Sequence, residues 1–98
     1  MIIYRIDLEV EEGREEQVEK IFRDEFVPAV RSQPGFCNAL YLSHGENEST
    51  PEILLFFDTE KQRKAWVDTE QHREAWGKIS GLCSSYTAQG YELTEKAR

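Results

Sequence analysis

The chain has 98 residues, of which 39% are apolar and 32% charged, and its formal net charge is −7. This length and composition predict one globular domain over 1–98, with a thin core and a flexible tail over 94–98. The acidic balance argues against nucleic acid and anionic membranes as partners. No run of apolar residues is long enough for a membrane span or a secretory signal, so we expect a cytoplasmic protein.

The first part of the chain predicts a strand, a helix and a second strand. Residues 2–10 alternate between apolar and polar, which is the period of a half-buried strand. Residues 14–32 carry apolar side chains at helical spacing, and Pro28 should kink or tighten the end of that helix. A proline and a glycine then end the helix, and residues 36–43 form the second strand.

The second part predicts a hairpin, a broken helix and a last strand. Residues 52–58 form the third strand, joined to the second by a polar loop over 44–51. Asp58 or Thr59 caps a helix that runs to about Ile79 and breaks near 68–69. The last strand spans 85–93, which is rich in Tyr and Thr.

The predicted order is β-α-β-β-α-β, which is typical of an α+β, ferredoxin-like fold with an antiparallel sheet and both helices on one face. Residues 53–57 (ILLFF) are apolar on both faces of their strand. A strand with one face in solvent should alternate, so something must cover its outer face. We therefore predict a homodimer formed through the open face of the sheet.

Two stretches of sequence carry a family resemblance. Residues 27–36 (VPAVRSQPGF) end in a PGF step, and residues 57–60 (FDTE) are followed by Trp66 and then 69–72 (TEQH). This pattern resembles the antibiotic biosynthesis monooxygenase (ABM) domain family over nearly the whole chain. The resemblance implies a dimeric α+β barrel in which two sheets pack face to face. It also implies, for some members, oxidation of phenols, quinols or polyketide aromatics without metal or flavin.

A haem-degrading branch of that family gives an alternative that the sequence can be compared with. That branch has a Trp on the second helix, an iron-ligating His ten residues later and an Asn on the first strand. Trp66 matches the first mark, but Trp76 stands at the position of the His, and the first strand contains no Asn. Haem degradation is therefore the weakest of the functional hypotheses.

His72 is the candidate catalytic residue. A neutral imidazole that faces an enclosed apolar cavity can accept a proton from a phenol, and the phenolate can then reduce dioxygen directly. This hypothesis needs no cofactor. The alternative is a histidine that only stabilises the helix break or contacts a partner subunit.

Four further residues are candidates for substrate binding. Trp66, Phe57 and Trp76 would form the aromatic wall of a cavity, and Asn38 would offer its amide to a substrate oxyanion. The alternative for each is packing in the core or at a dimer interface. The Cys and His residues show no ligand spacing, so we predict no metal site.

The sequence thus predicts a cofactor-independent monooxygenase that oxidises a small electron-rich aromatic compound. The alternative from another class is a dimer that binds or senses a small molecule without turning it over.

Overall fold

Four strands form one antiparallel sheet in the computed structural model, which describes residues 1–97. The spatial order of the strands is β2-β3-β1-β4, and every neighbouring pair is antiparallel. Helices connect β1 to β2 and β3 to β4, so the predicted α+β, ferredoxin-like fold is confirmed. The elements are β1 (Ile2–Val10), α1 (Glu15–Ile21), a π-helical turn (Phe22–Phe26), α2 (Val27–Arg31), β2 (Phe36–His44), β3 (Asn47–Phe57), α3 (Glu60–Val67), α4 (Glu70–Ser80) and β4 (Cys83–Glu92).

The helical stretch after β1 is divided by the π-helical turn over Phe22–Phe26. Pro28 has no backbone N–H to donate to the carbonyl four residues earlier, and its ring crowds that carbonyl. A wider turn ahead of the proline accommodates both effects. The predicted helix over 14–32 is present. The irregularity expected from Pro28 is the π-helical turn that precedes it.

Four fully or nearly fully buried side chains follow one another along this stretch at intervals of four residues: Val18, Phe22, Phe26 and Val30. An α-helix turns about 100° per residue, so an interval of four drifts by about 40° around the axis at each step. The wider π turn offsets that drift between Phe22 and Phe26. The two rings stack with their centroids 5.7 Å apart.

Two threonines explain the division of the second helical stretch. Thr59 and Thr69 both have extended backbone, and each side chain accepts a hydrogen bond from the backbone N–H three residues later. These are N-caps, which begin α3 and α4. The predicted break near 68–69 is therefore present.

The β2–β3 hairpin differs from the sequence prediction. The predicted loop over 44–51 is wrong, because β2 continues to His44 and β3 begins at Asn47. Gly45 and Glu46 form the connecting turn, with φ of +61° at the glycine and no positive φ at the glutamate. These signs match a type II′ turn, which places glycine first. The polar residues after the turn are extended because they pair with β2 in the hairpin, and not because one of their faces is buried.

The helices cover one face of the sheet and leave the other uncovered. The core between them contains Ile53, Leu55 and Phe57 of β3, all at most 3% exposed. The outward face, which we call the open face, is apolar near its centre, although some of its side chains reach solvent. The strand register places these apolar residues on it: Ile3, Leu40, Leu42, Leu54, Phe56 and Tyr91.

The chain ends close to where it begins, since the Leu93 N–H donates to the Met1 carbonyl at 2.9 Å. Residues 94–97, in the predicted tail, form no helix or strand, and Arg98 lies outside the described residues. No helix within 1–97 is both long enough and apolar enough to cross a membrane.

Candidate functional site

A cavity of about 530 Å³ lies between the helices and the inner face of the sheet. Aromatic side chains from several elements form much of its wall. The β1 and β4 strands supply Tyr4 and Tyr86, and the π turn supplies Phe26. The two tryptophans of α3 and α4 complete it. Aromatic walls with a few polar groups are typical of small-molecule sites.

The helix break brings Trp66 and Trp76 to the same cavity. On one uninterrupted helix, residues ten apart would diverge by roughly 80°. The break at Thr69 changes the direction of the helix at the start of α4, and both tryptophan side chains line the cavity. Trp66 is 1% exposed and contacts Phe26 edge-on, with ring centroids 5.8 Å apart. Trp76 contacts Tyr86 edge-on at 4.9 Å.

His72 lies in the same wall and contacts Trp66. The two rings are perpendicular, with centroids 5.1 Å apart. Trp66 Nε1 and His72 Nδ1 are both buried, and neither has a hydrogen-bond partner among residues 1–97. Buried polar atoms without partners are costly, and they are rare outside sites that receive water or a ligand.

The surroundings of His72 keep its imidazole neutral. Burial lowers the pKa of His72 from its ordinary value, and the nearby positive charges of Arg63 and Arg73 lower it further. A neutral imidazole with a free ring nitrogen can accept a proton at neutral pH. The position therefore has the protonation state that a general base needs.

The cavity also contains a charged residue that sequence reasoning missed. Arg63 is 9% exposed, and its guanidinium carbon lies 3.9 Å from the centre of the Tyr4 ring. Its Nε donates to both carboxylate oxygens of Glu60, at 3.0 and 3.1 Å. Hydrogen bonding from Arg63 is the main reason that the pKa of Glu60 is lowered. The sequence did contain one indication that Arg63 belongs to the site, because it lies three residues before Trp66 and so shares its helix face.

Two predicted site residues lie away from this cavity. Phe57 is fully buried in the core, where its ring contacts Phe36 edge-on at a centroid distance of 6.0 Å. Asn38 is exposed on the open face, and its Oδ1 accepts the Ala39 N–H at 2.9 Å. A register shift between Phe36 and Asn38 leaves Phe36 on the core face and Asn38 on the open face. The structure thus brings together His72, Trp66 and Trp76 but not Phe57 or Asn38.

Metal ligands are not grouped in the described part of the chain. Within residues 1–97, His, Cys, Asp and Glu side chains form no cluster of three that could hold an ion. The thiols of Cys37 and Cys83 are free.

Comparison with protein families gives a match over most of the chain. The family described as antibiotic biosynthesis monooxygenase matches residues 1–77. The chain belongs to the antibiotic biosynthesis monooxygenase family. The matched region contains Trp66, His72 and Trp76 of the cavity wall, whereas β4 follows it. No protein of curated function matches the chain by sequence.

Solved structures of the same fold resemble this ABM-family chain along almost its whole length. One is SnoaB, a cofactor-independent oxygenase from Streptomyces nogalater, with a TM-score of 0.87 at 10% identity, covering 97% of this chain and 94% of SnoaB. Another, from Nitrosomonas europaea, is named as a candidate antibiotic biosynthesis monooxygenase. It has a TM-score of 0.85 at 14% identity, and the match covers 97% of this chain and 100% of that one. A candidate from Caulobacter crescentus has a TM-score of 0.84 at 16% identity, covering 96% and 90%. At these identities the likeness shows a shared fold.

Proposed function

We propose that the chain is a cofactor-independent monooxygenase that oxidises a small electron-rich aromatic compound in the cavity beside Trp66. The observation that carries this proposal is His72, whose buried Nδ1 has no partner among residues 1–97 and which lies in an aromatic wall. Family membership and the fold shared with SnoaB, which is itself a cofactor-independent oxygenase, support the reaction class.

In the proposed reaction, His72 accepts the proton of a hydroxyl group on the aromatic ring. The resulting anion gives one electron to dioxygen, and the radical and superoxide combine to form a carbon–oxygen bond. The proton on His72 returns to the peroxide and makes it a hydroperoxide. Loss of water then removes the hydrogen of the same ring carbon and breaks the O–O bond, so that the outer oxygen leaves in water and a new carbonyl forms at that carbon. Dioxygen is the oxidant, one of its atoms enters the product and the other leaves in water. An anthrone would thereby become an anthraquinone.

Oxygen uptake by metal-free protein tests the proposal, with a panel of hydroquinones and anthrones as substrates. We expect uptake that requires the protein and falls strongly in His72→Ala. His44→Ala is the matched control, because His44 is exposed and bonds Glu52 at 2.8 Å outside the cavity. No uptake across the panel, or equal uptake in both variants, would contradict the proposed chemistry.

A binding or sensing module is the second candidate, and the same two unpartnered nitrogens support it. A ligand that donates to His72 Nδ1 and accepts from Trp66 Nε1 would relieve the cost of burying both atoms without any reaction. A compound from the panel that raises the melting temperature and is recovered unchanged in air would favour this candidate over the oxygenase.

We also propose that two copies of the chain pair through their open faces. Leu40 and Leu42 are 37% and 39% exposed there, and Tyr91 is 43% exposed, while the half-buried Phe56 lies between β1 and β2. A contiguous apolar face on a small domain is typical of an interface. Light scattering should give about twice the chain mass of 11.4 kDa. A cytoplasmic location and the absence of nucleic-acid binding stay predictions from the sequence.

A further inference from the structure

We infer that the cavity selects aromatic ligands that carry an ionised oxygen, and that Arg63 is the group that binds this oxygen. The inference rests on the proposed function only in identifying such a ligand as the substrate.

Arg63 is held in the cavity wall as a buried cation. Its guanidinium lies over the Tyr4 ring, which gives a cation–π contact. An arginine side chain stays charged in proteins and carries five N–H donors. Glu60 accepts from Nε and from Nη2, whereas Nη1 makes no hydrogen bond within residues 1–97. Within residues 1–97, the Nη1 group of Arg63 is therefore a charged donor without an acceptor, in a wall that is otherwise largely aromatic.

The partner carboxylate cancels this charge only in part inside the cavity. The Glu60 side chain is 41% exposed and the Arg63 side chain only 11%, so the negative end of the pair is the better solvated one. Glu60 does not line the cavity, while Arg63 and Lys64 do. Asp68 is the only acidic residue in the described wall. The charged lining is therefore predominantly cationic, and solvent screens it less at Arg63 than at Glu60.

The positive charge acts on the same space as His72. Arg63 is the largest electrostatic contribution that lowers the pKa of His72 after burial itself. A field that disfavours the imidazolium favours an anion in the same place. An aromatic ring beside Trp66 with an ionised oxygen turned toward Arg63 satisfies both the apolar wall and the free donor.

Calorimetric titration with naphthoate and with naphthamide tests the inference. These two probes have the same ring and nearly the same shape but differ in charge. We expect the wild type to bind naphthoate about tenfold or more tightly than naphthamide. In Arg63→Gln, the two affinities should come within about threefold of each other, mainly through weaker naphthoate binding.

Two further variants make the result specific. Lys64→Gln removes a positive charge from the same wall and should keep most of the preference for naphthoate. Glu60→Gln removes the competing carboxylate and should increase the preference. If Arg63→Gln does not fold, Glu60→Gln alone tests the inference, because an unchanged preference for naphthoate in that variant would contradict it.

Three results would overturn the inference: no preference for naphthoate in the wild type, an undiminished preference in Arg63→Gln, or an equal loss in Lys64→Gln. Binding requires no turnover, so its outcome is separate from that of the proposed reaction. A preference that depends on Arg63 without oxygen uptake would refute the oxygenase and leave the inference standing. Oxygen uptake that depends on His72, together with any of the three results above, would support the oxygenase and refute the inference.

Discussion

One threonine hydroxyl connects Trp66 to His72. Thr69 Oγ1 donates to the Trp66 carbonyl at 2.7 Å and accepts the His72 backbone N–H at 3.1 Å. The end of α3 and the start of α4 are therefore fixed to each other at the residues whose rings meet at right angles in the cavity wall. The geometry of the site depends on a helix cap as well as on packing.

We expect Thr69→Ala to cost about 1–2 kcal/mol of unfolding free energy, which is typical for the loss of an N-cap. The same change should weaken ligand binding, because Trp66 and His72 lose their common anchor. Urea unfolding and calorimetric titration measure the two effects. Thr69→Ser should restore both. Thr59→Ala removes the corresponding cap of α3 and should lower stability alone, so a similar binding loss there would contradict the anchoring role.

The pH dependence of stability should carry a contribution from His72. Its pKa is lowered in the fold from an ordinary value of 6.5, chiefly by burial. The unfolded chain therefore takes up a proton that the folded chain resists. Stability from the neutral side chain is complete above pH 6.5 and is lost as the pH falls toward the lowered folded pKa.

Urea unfolding of wild type and His72→Gln between about pH 8 and about pH 5 isolates this contribution. Carboxylates common to both proteins cancel when the two curves are subtracted. We expect the stability of the wild type relative to the variant to fall as the solution becomes more acidic. A difference that is constant over the range would mean that His72 is not desolvated.

Gly35 should resist replacement more strongly than Gly13. Both have left-handed backbone, with φ of +81° and +85°. A Cβ at Gly35 would stand 2.1 Å from Gln62 Oε1, whereas one at Gly13 would meet nothing within 4 Å. Gln62 would have to move, and Thr59 Oγ1, which donates to that oxygen at 3.0 Å, would lose its acceptor.

We expect Gly13→Ala to cost about 1–2 kcal/mol from backbone strain alone. Gly35→Ala should cost about 1 kcal/mol more, which is the scale of one lost hydrogen bond. Chemical denaturation of both variants gives the comparison. Equal losses would show that Gln62 rearranges without penalty.

The proposed dimer should respond to a charge on the open face but not to one on the helix side. Leu40 and Val67 are 37% and 38% exposed, so either position tolerates a polar side chain equally well in one copy of the chain. Leu40→Glu should yield a monomer in light scattering, because two carboxylates would be buried against apolar side chains. Val67→Glu should remain a dimer. A dimer that survives Leu40→Glu would place the interface elsewhere.

The sequence predicts the order of elements and the helix break because these depend on local signals. The alternation over 2–10 and the capping threonines Thr59 and Thr69 act within a few residues of themselves. The hairpin connection was predicted wrongly for a related reason. Residues 47–51 are polar and contain a proline, which locally favours a loop, but pairing of β3 with β2 continues almost to the turn.

The candidate site was only partly predictable, because it depends on contacts between distant segments. His72 and Trp66 were found through the resemblance and through their helix positions. Asn38 was predicted to bind substrate but lies on the open face, because a register shift after Phe36 changes which face the next residues occupy, and composition does not reveal such a shift. Arg63 has the sequence pattern of an ordinary exposed ion pair with Glu60. Its guanidinium lies over the ring of Tyr4, a contact with a residue far away along the chain that no local pattern predicts.

The π-helical turn has a consequence for how this chain aligns with its relatives. A relative whose helix is regular there would reach the same buried positions with one residue fewer. The corresponding gap then belongs inside the helix, between Phe22 and Phe26, where insertions are not usually expected. A gap placed in the loop after the helix would exchange Phe26 for Glu25 as the residue beside the cavity. At identities between 10% and 16%, the position of the gap therefore decides which side chain is compared with Phe26.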